Sequence, residues 1–102
     1  MITETVYLER DNAIDLQLLA DGAVVSLASV NRMEVTADNG AWSVSSETAP
    51  DAFDWSAGNG MVTIALGLQA IPAGNHTARL VVYDPSNQHG IIWDRIILRV
   101  KR

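Results

Sequence analysis

The chain has 102 residues, 48% of them hydrophobic and 19% charged: enough apolar side chain for one core, and too little charge for long solvated helices or tails. Twelve acidic and seven basic side chains give a net charge of −5, with the basic residues scattered apart from Arg99, Lys101 and Arg102 at the end. Nucleic acid and anionic membrane, which need a concentrated positive surface, are therefore not expected as main partners. Cysteine is absent, so stability rests on packing without disulfide or thiolate–metal staples.

Residues 1–5 (MITET) carry neither the basic nor the apolar region of a leader, and no apolar run is long enough to span a bilayer. The expectation is a single domain over residues 1–102, made in the cytoplasm and not exported.

Apolar residues recur with period two and are punctuated every 8 to 12 residues by turn formers, which is the pattern of strands that bury alternate side chains. A first strand is predicted near residues 5–9. Three short turn signals then each set a testable register. With Asp21-Gly22 as a two-residue loop, Leu18 faces Val25 and Leu16 faces Leu27. With Asn39-Gly40, Ala37 faces Trp42 and Val35 faces Val44, while Arg32, Glu34, Ser43 and Ser45 fall on the other face. With Asn59-Gly60, Trp55 faces Ile64 and Phe53 faces Leu66.

Residues 71–74 (IPAG) read as a corner between sheets, since proline removes a ladder donor and glycine permits positive φ. Two longer strands follow, at about residues 77–83 and 91–100, joined by the turn-rich connector 84–90 (DPSNQHG). The total is about nine strands, and the expected fold is an all-β, antiparallel, immunoglobulin-like β-sandwich. Its predicted inward face is Val6, Leu8, Ile14, Leu16, Leu18, Val25, Leu27, Met33, Val35, Trp42, Val44, Phe53, Trp55, Val62, Ile64, Leu66, Leu80, Val82, Ile96, Leu98 and Val100. Residues 45–52 are the one segment read as a wandering loop.

Chemistry is sparse. His76 and His89 have no second histidine or carboxylate at a metal-ligand spacing and read as a strand-start and a turn residue. The carboxylate pairs Asp51/Asp54 and Asp84/Asp94 lack the repeated spacing of a calcium loop. No serine lies in Gly-x-Ser-x-Gly, and the glycines of residues 58–60 (GNG) precede a strand pattern where a phosphate loop needs a helix. No catalytic residue, metal or cofactor is expected.

Residues 10–27 (RDNAIDLQLLADGAVVSL) followed by residues 30–35 (VNRMEV) resemble the opening of immunoglobulin-like bacteriophage domains, in particular the amino-terminal domain of baseplate upper proteins. Residues 71–84 (IPAGNHTARLVVYD) are similar to that family's Gly-x-Tyr-x-x-x-Leu-x-Val-x-Asp strand, with His76 or Thr77 where an aromatic is common. Together these stretches cover about a third of the chain. The resemblance implies a virion component of the tail, baseplate or head, without enzymatic activity, docking onto other virion proteins. The alternative is a carbohydrate- or ligand-binding module, suggested by three tryptophans.

Alternation in the last two strands points Val81, Tyr83, Trp93 and Ile97 outward, where polar residues normally stand. Hairpin pairing puts Val81 near Trp93 and Thr77 near Ile97, so these four are predicted to form an apolar interface patch, for another virion protein or a second copy in a homo-oligomer. The competing expectation is that loop 45–52 folds over the patch.

Overall fold

The computed structural model describes residues 2–56 and 58–102, and within this span the side chain of Asp94 is not described, so the Asp84/Asp94 pair lies outside the described residues. Among the described residues the chain forms ten strands: β1 (Ile2–Tyr7), β2 (Ile14–Gln17), β3 (Leu19–Ala20), β4 (Ala23–Val24), β5 (Arg32–Ala37), β6 (Trp42–Ser45), β7 (Phe53–Trp55), β8 (Met61–Ile64), β9 (Gly74–Asp84) and β10 (Asn87–Lys101). Two single 3-10 turns, Asp38–Gly40 and Pro50–Ala52, are the only helical pieces among those residues, and no helix is long and apolar enough to cross a membrane.

The strands assemble into a five-stranded sheet of order β1-β10-β9-β5-β6, a three-stranded sheet of order β2-β8-β7 and the small ribbon β3-β4. Each larger sheet turns one face into a single shared core, in which Met33, Val35, Leu80, Ile96 and Leu98 from the first meet Ile14, Val62 and Ile64 from the second. Every residue predicted to point inward is buried there, except that Val25, Trp42 and Trp55 are half-buried against it. Ala37, Ala52, Ile71 and Ala78 complete the core. The Cα radius of gyration, 12.9 Å, is that of a compact body of this length.

The large sheet is mixed and not purely antiparallel, because β1 runs parallel to β10 with Val6 opposite Val100. No hairpin links these two strands: after β1 the chain crosses to the other sheet, so their relative direction is free of turn geometry. The ten strands replace the expected nine because the second predicted strand divides at Leu18. The Leu18 amide donates to Gly60 O (2.8 Å) while its carbonyl accepts from the Val25 amide (3.1 Å), so the chain changes partners at this residue. Leu16 consequently lies opposite Val62 and not Leu27.

The Asn39-Gly40 register is found as expected, with Ala37 opposite Trp42 and Val35 opposite Val44. At Asn59-Gly60 the pairing is two residues out: Phe53 faces Ile64 and Trp55 faces Val62. The hairpin closes through Ser56 N donating to Met61 O (3.2 Å), which makes a longer loop. A slip of two leaves every side chain on its predicted face, because the side-chain period of a strand is two.

Connector 84–90 is the largest departure. Asn87 already pairs with Asp84 across a two-residue Pro85-Ser86 turn, and Asp84 Oδ1 accepts from the Ser86 amide (2.9 Å) and Asn87 Nδ2 (3.0 Å). The remaining connector residues are absorbed into β10 as a register shift between Asn87 and Ile91, and a second shift follows between Ile92 and Asp94. Edge strand β1 is guarded by Glu4, which register places on the core-facing side opposite Leu98, an inward charge that discourages edge-to-edge pairing.

Candidate interaction face

The five-stranded sheet, the larger of the two sheets that bound the core, turns its other face outward. Alternation and register place Val81 opposite Ile92, Arg79 opposite Arg95, Thr77 opposite Ile97 and Asn75 opposite Arg99, with Glu34 and Thr36 beside Val81 and Arg79 on β5. Of the four predicted interface residues, Val81, Tyr83 and Ile97 stand on this face, all half-buried. Trp93 does not join them. It is the extra residue of the second register shift and packs against the core, because a bulge sets two residues against one and breaks the alternation on which its outward placement relied.

The half-burial of Val81 and Tyr83 has a local cause. Gly90, at φ +84°, sits in the first register shift so close that an added Cβ would lie 2.5 Å from Val81 Cγ1 and 2.8 Å from Tyr83 Cε2. The β9–β10 connection therefore leans over these two side chains. Loop 45–52 reaches this face through Glu47, whose carboxylate pairs with the Arg32 guanidinium that lies over the Tyr83 ring, while its other hydrogen bonds go to Arg32, Met33 and Ala65. Ile92, 54% exposed and opposite Val81, is the apolar residue that sequence reasoning missed.

Around this apolar strip stand Arg32, Arg79, Arg95, Arg99 and Lys101, five of the seven basic residues. Their scatter along the sequence conceals their common parity: 95, 99 and 101 share one face of β10, and 79 shares the matching face of β9. Arg32 is tied down by Glu34 (3.0 Å) and Glu47 (3.5 Å) and lies 4.4 Å from the Tyr83 ring centroid as a cation–π contact. Partial burial, then the Glu34 carboxylate, push the Tyr83 phenol above its ordinary value. Arg79, Arg99 and Lys101 make no ion pair among the described residues.

One corner of the face opens into a depression of about 690 Å³ lined by Thr36, Asp38, Asn39, Gly40, Thr77 and Arg79. It is formed by the β5–β6 turn, in which Asp38, Asn39 and Gly40 all adopt positive φ, at 52°, 58° and 92°. Two consecutive non-glycine residues in that region need support from elsewhere, and Asp38 has it. Its carboxylate accepts from the Thr77 amide (3.2 Å) and pairs with His76 Nδ1, while His76 Nε2 lies 2.9 Å from Pro72 O. Both ring nitrogens of His76 are thus committed to oxygens of the protein itself, which leaves neither for a metal or a substrate proton. His89 is exposed at the start of β10, and no three metal-binding side chains gather among the described residues.

The hydrogen bond with His76 holds the Asp38 carboxyl below its ordinary value of 3.8, against a smaller opposing effect of desolvation. A carboxyl whose folded value is depressed contributes stability that is full above the unfolded value and disappears as pH falls through the folded one. Asp38→Asn is therefore expected to lower Tm modestly at neutral pH, since the group is exposed and screened. The gap to wild type should close as pH falls below about 3.8. Thermal melts of both proteins from neutral to acid pH check this, and a gap that widens in acid would show that Asp38 does not support the turn.

No known protein family and no curated relative matches the chain.

Proposed function

We propose that the chain is an immunoglobulin-like β-sandwich serving as a non-enzymatic interaction domain of a phage particle, docking onto other virion proteins through the outer face of β9 and β10. The strand order supports the fold reading. A β1-β10-β9-β5-β6 sheet over a β2-β8-β7 sheet follows the two-sheet arrangement of variable-type immunoglobulin domains, with the first strand beside the last. The phage assignment rests on the resemblance of residues 10–35 and 71–84 to baseplate upper proteins.

The single observation that carries the docking function is the composition of the outer face: an apolar group of Val81, Tyr83 and Ile92 beside the Arg79–Arg95 row, with Ile97 on the far side of that row. Tyrosine and arginine are enriched where contacts between proteins carry energy, and exposed apolar side chains beside them mark such contacts. The carbohydrate-binding alternative needs an exposed indole as a platform, and Trp42, Trp55 and Trp93 all pack against the core.

Ile92→Asp should keep Tm within a few degrees, as an exposed residue changes stability by about 0.5 kcal/mol or less. Binding to a tail, baseplate or head protein encoded beside this chain should weaken at least about tenfold, or 1.4 kcal/mol. Trp93→Ser should instead lower stability by about 1–3 kcal/mol, because it removes packing from beneath the sheet. Co-expression pull-downs with those proteins, alongside thermal melts, separate the effects. Undiminished binding by Ile92→Asp would overturn the docking function.

A further inference from the structure

The outer face of the five-stranded sheet is basic on balance: it holds Arg32, Arg79, Arg95, Arg99 and Lys101, against Glu34 and the Glu47 that pairs with Arg32. The outer face of the three-stranded sheet is the converse. Asp15 and Asp54 flank Thr63 in one row across β2, β8 and β7, Thr63 Oγ1 donates to Asp15 Oδ1 (2.7 Å), and no basic residue stands on these three strands.

Both sheets bury their other face in one core, so the basic and acidic faces point away from each other. We propose, building on the docking function of the β9–β10 face, that its occupant is a second copy of this chain: the basic outer face of one copy seats on the acidic outer face of the next. The complement of the basic face is present on every copy, on the opposite side, and Arg79, Arg99 and Lys101 have no ion-pair partner within their own chain among the described residues. A contact between two different faces is heterologous, and faces on opposite sides of the body propagate an open stack without closing a pair.

The size of the contact sets its strength. Three strands about 4.8 Å apart and three or four residues long present an area well below the roughly 800 Å² per partner of a standard interface. The stack is accordingly weak in isolation and strongly dependent on salt, since its drive is electrostatic and its charges are exposed.

Sedimentation velocity on the full chain over a concentration series tests this. At about 20 mM salt the wild type should self-associate, and at about 0.5 M, where screening acts within a few ångströms, it should be monomeric. R79E/R99E and D15K/D54K should each self-associate at least tenfold more weakly. The second variant brings the net charge close to zero, which by itself favours association, so its loss reports the missing acidic face. Mixed in equal amounts, the neutralised variants R79Q/R99Q and D15N/D54N should form a dimer and nothing larger, because only one fully charged pair of faces remains. D15N/D54N, with melts on every variant, guards against misfolding and should show the same direction.

A wild type that is monomeric at low salt, association indifferent to salt, or a mixture that forms no dimer would overturn the stack. So would a duplex DNA oligonucleotide that binds the basic face more tightly than the chain binds itself. If the stack fails while Ile92→Asp still abolishes binding to a virion protein, the docking function stands without it. If Ile92→Asp has no effect on that binding and the stack forms, self-association alone survives.

Discussion

Leu80→Ala is expected to lower the free energy of unfolding by about 2–5 kcal/mol, the usual cost of removing buried methyl groups and leaving a cavity. Leu80 belongs at the upper part of that range because of where it sits. It is fully buried in the middle of β9, the central strand of the large sheet, opposite Val35 on β5 and Asp94 on β10. Three strands hydrogen-bonded side by side cannot close around the missing side chain without breaking the ladder, so collapse of the site is limited. Equilibrium denaturation with the slope held in common with wild type gives the value. A loss below about 1 kcal/mol would mean that the core relaxes around this position far more readily than close packing permits.

Gly67→Ala is expected to be the most damaging conservative change on the surface side of the core, at or above the upper end of the roughly 1–3 kcal/mol typical of overpacking. An added Cβ would run into Arg10 O and Asn12 Nδ2 and come within 2.9 Å of Tyr7 O. These atoms cannot easily give way. Asn12 clamps the β1–β2 turn, donating from Nδ2 to Tyr7 O (2.6 Å) and Arg10 O (3.1 Å) and accepting from the Tyr7 amide (3.1 Å). Gly67 O in turn accepts from the Glu9 amide (2.8 Å). Asn12→Ala should lose part of the same stability, because it removes the side-chain bonds that hold the β1–β2 turn, and should partly relieve Gly67→Ala. A double-mutant cycle on Tm and denaturant midpoint measures that coupling, and strict additivity would place the clash elsewhere.

Much of the fold was legible in the residues alone. Period-two alternation assigned the buried face of nearly every strand, and the assignment at β7 and β8 withstood a register error of two residues because parity is what decides which side faces the core. The Asn39-Gly40 register was correct to the residue, although residues 38–41 form the connection with a 3-10 turn and not a two-residue loop.

The departures all lie where parity or local turn chemistry gives way to a distant partner. The parallel pairing of β1 with β10 joins opposite ends of the chain, and no local signal encodes it. The switch of partners at Leu18 depends on Gly60, far along the sequence. The bulges of β10 reversed the placement of Trp93, exposed Ile92 in its stead and laid Gly90 over Val81 and Tyr83.

By itself the sequence determined the β class, the core-facing side of the strands and the absence of a recognisable catalytic motif, because each follows from short-range periodicity and spacing. Only the tertiary structure decided which strands are neighbours, and with that how charge is distributed. Residues 32, 79, 95, 99 and 101 are far apart or interleaved with apolar residues in the chain, and they become one basic surface only when β5, β9 and β10 lie side by side. Asp15 and Asp54 become one acidic row only through β8 between them. Side-chain direction is a local property of a strand, whereas adjacency is set by hydrogen bonds between segments whose separation along the chain carries no trace in either one.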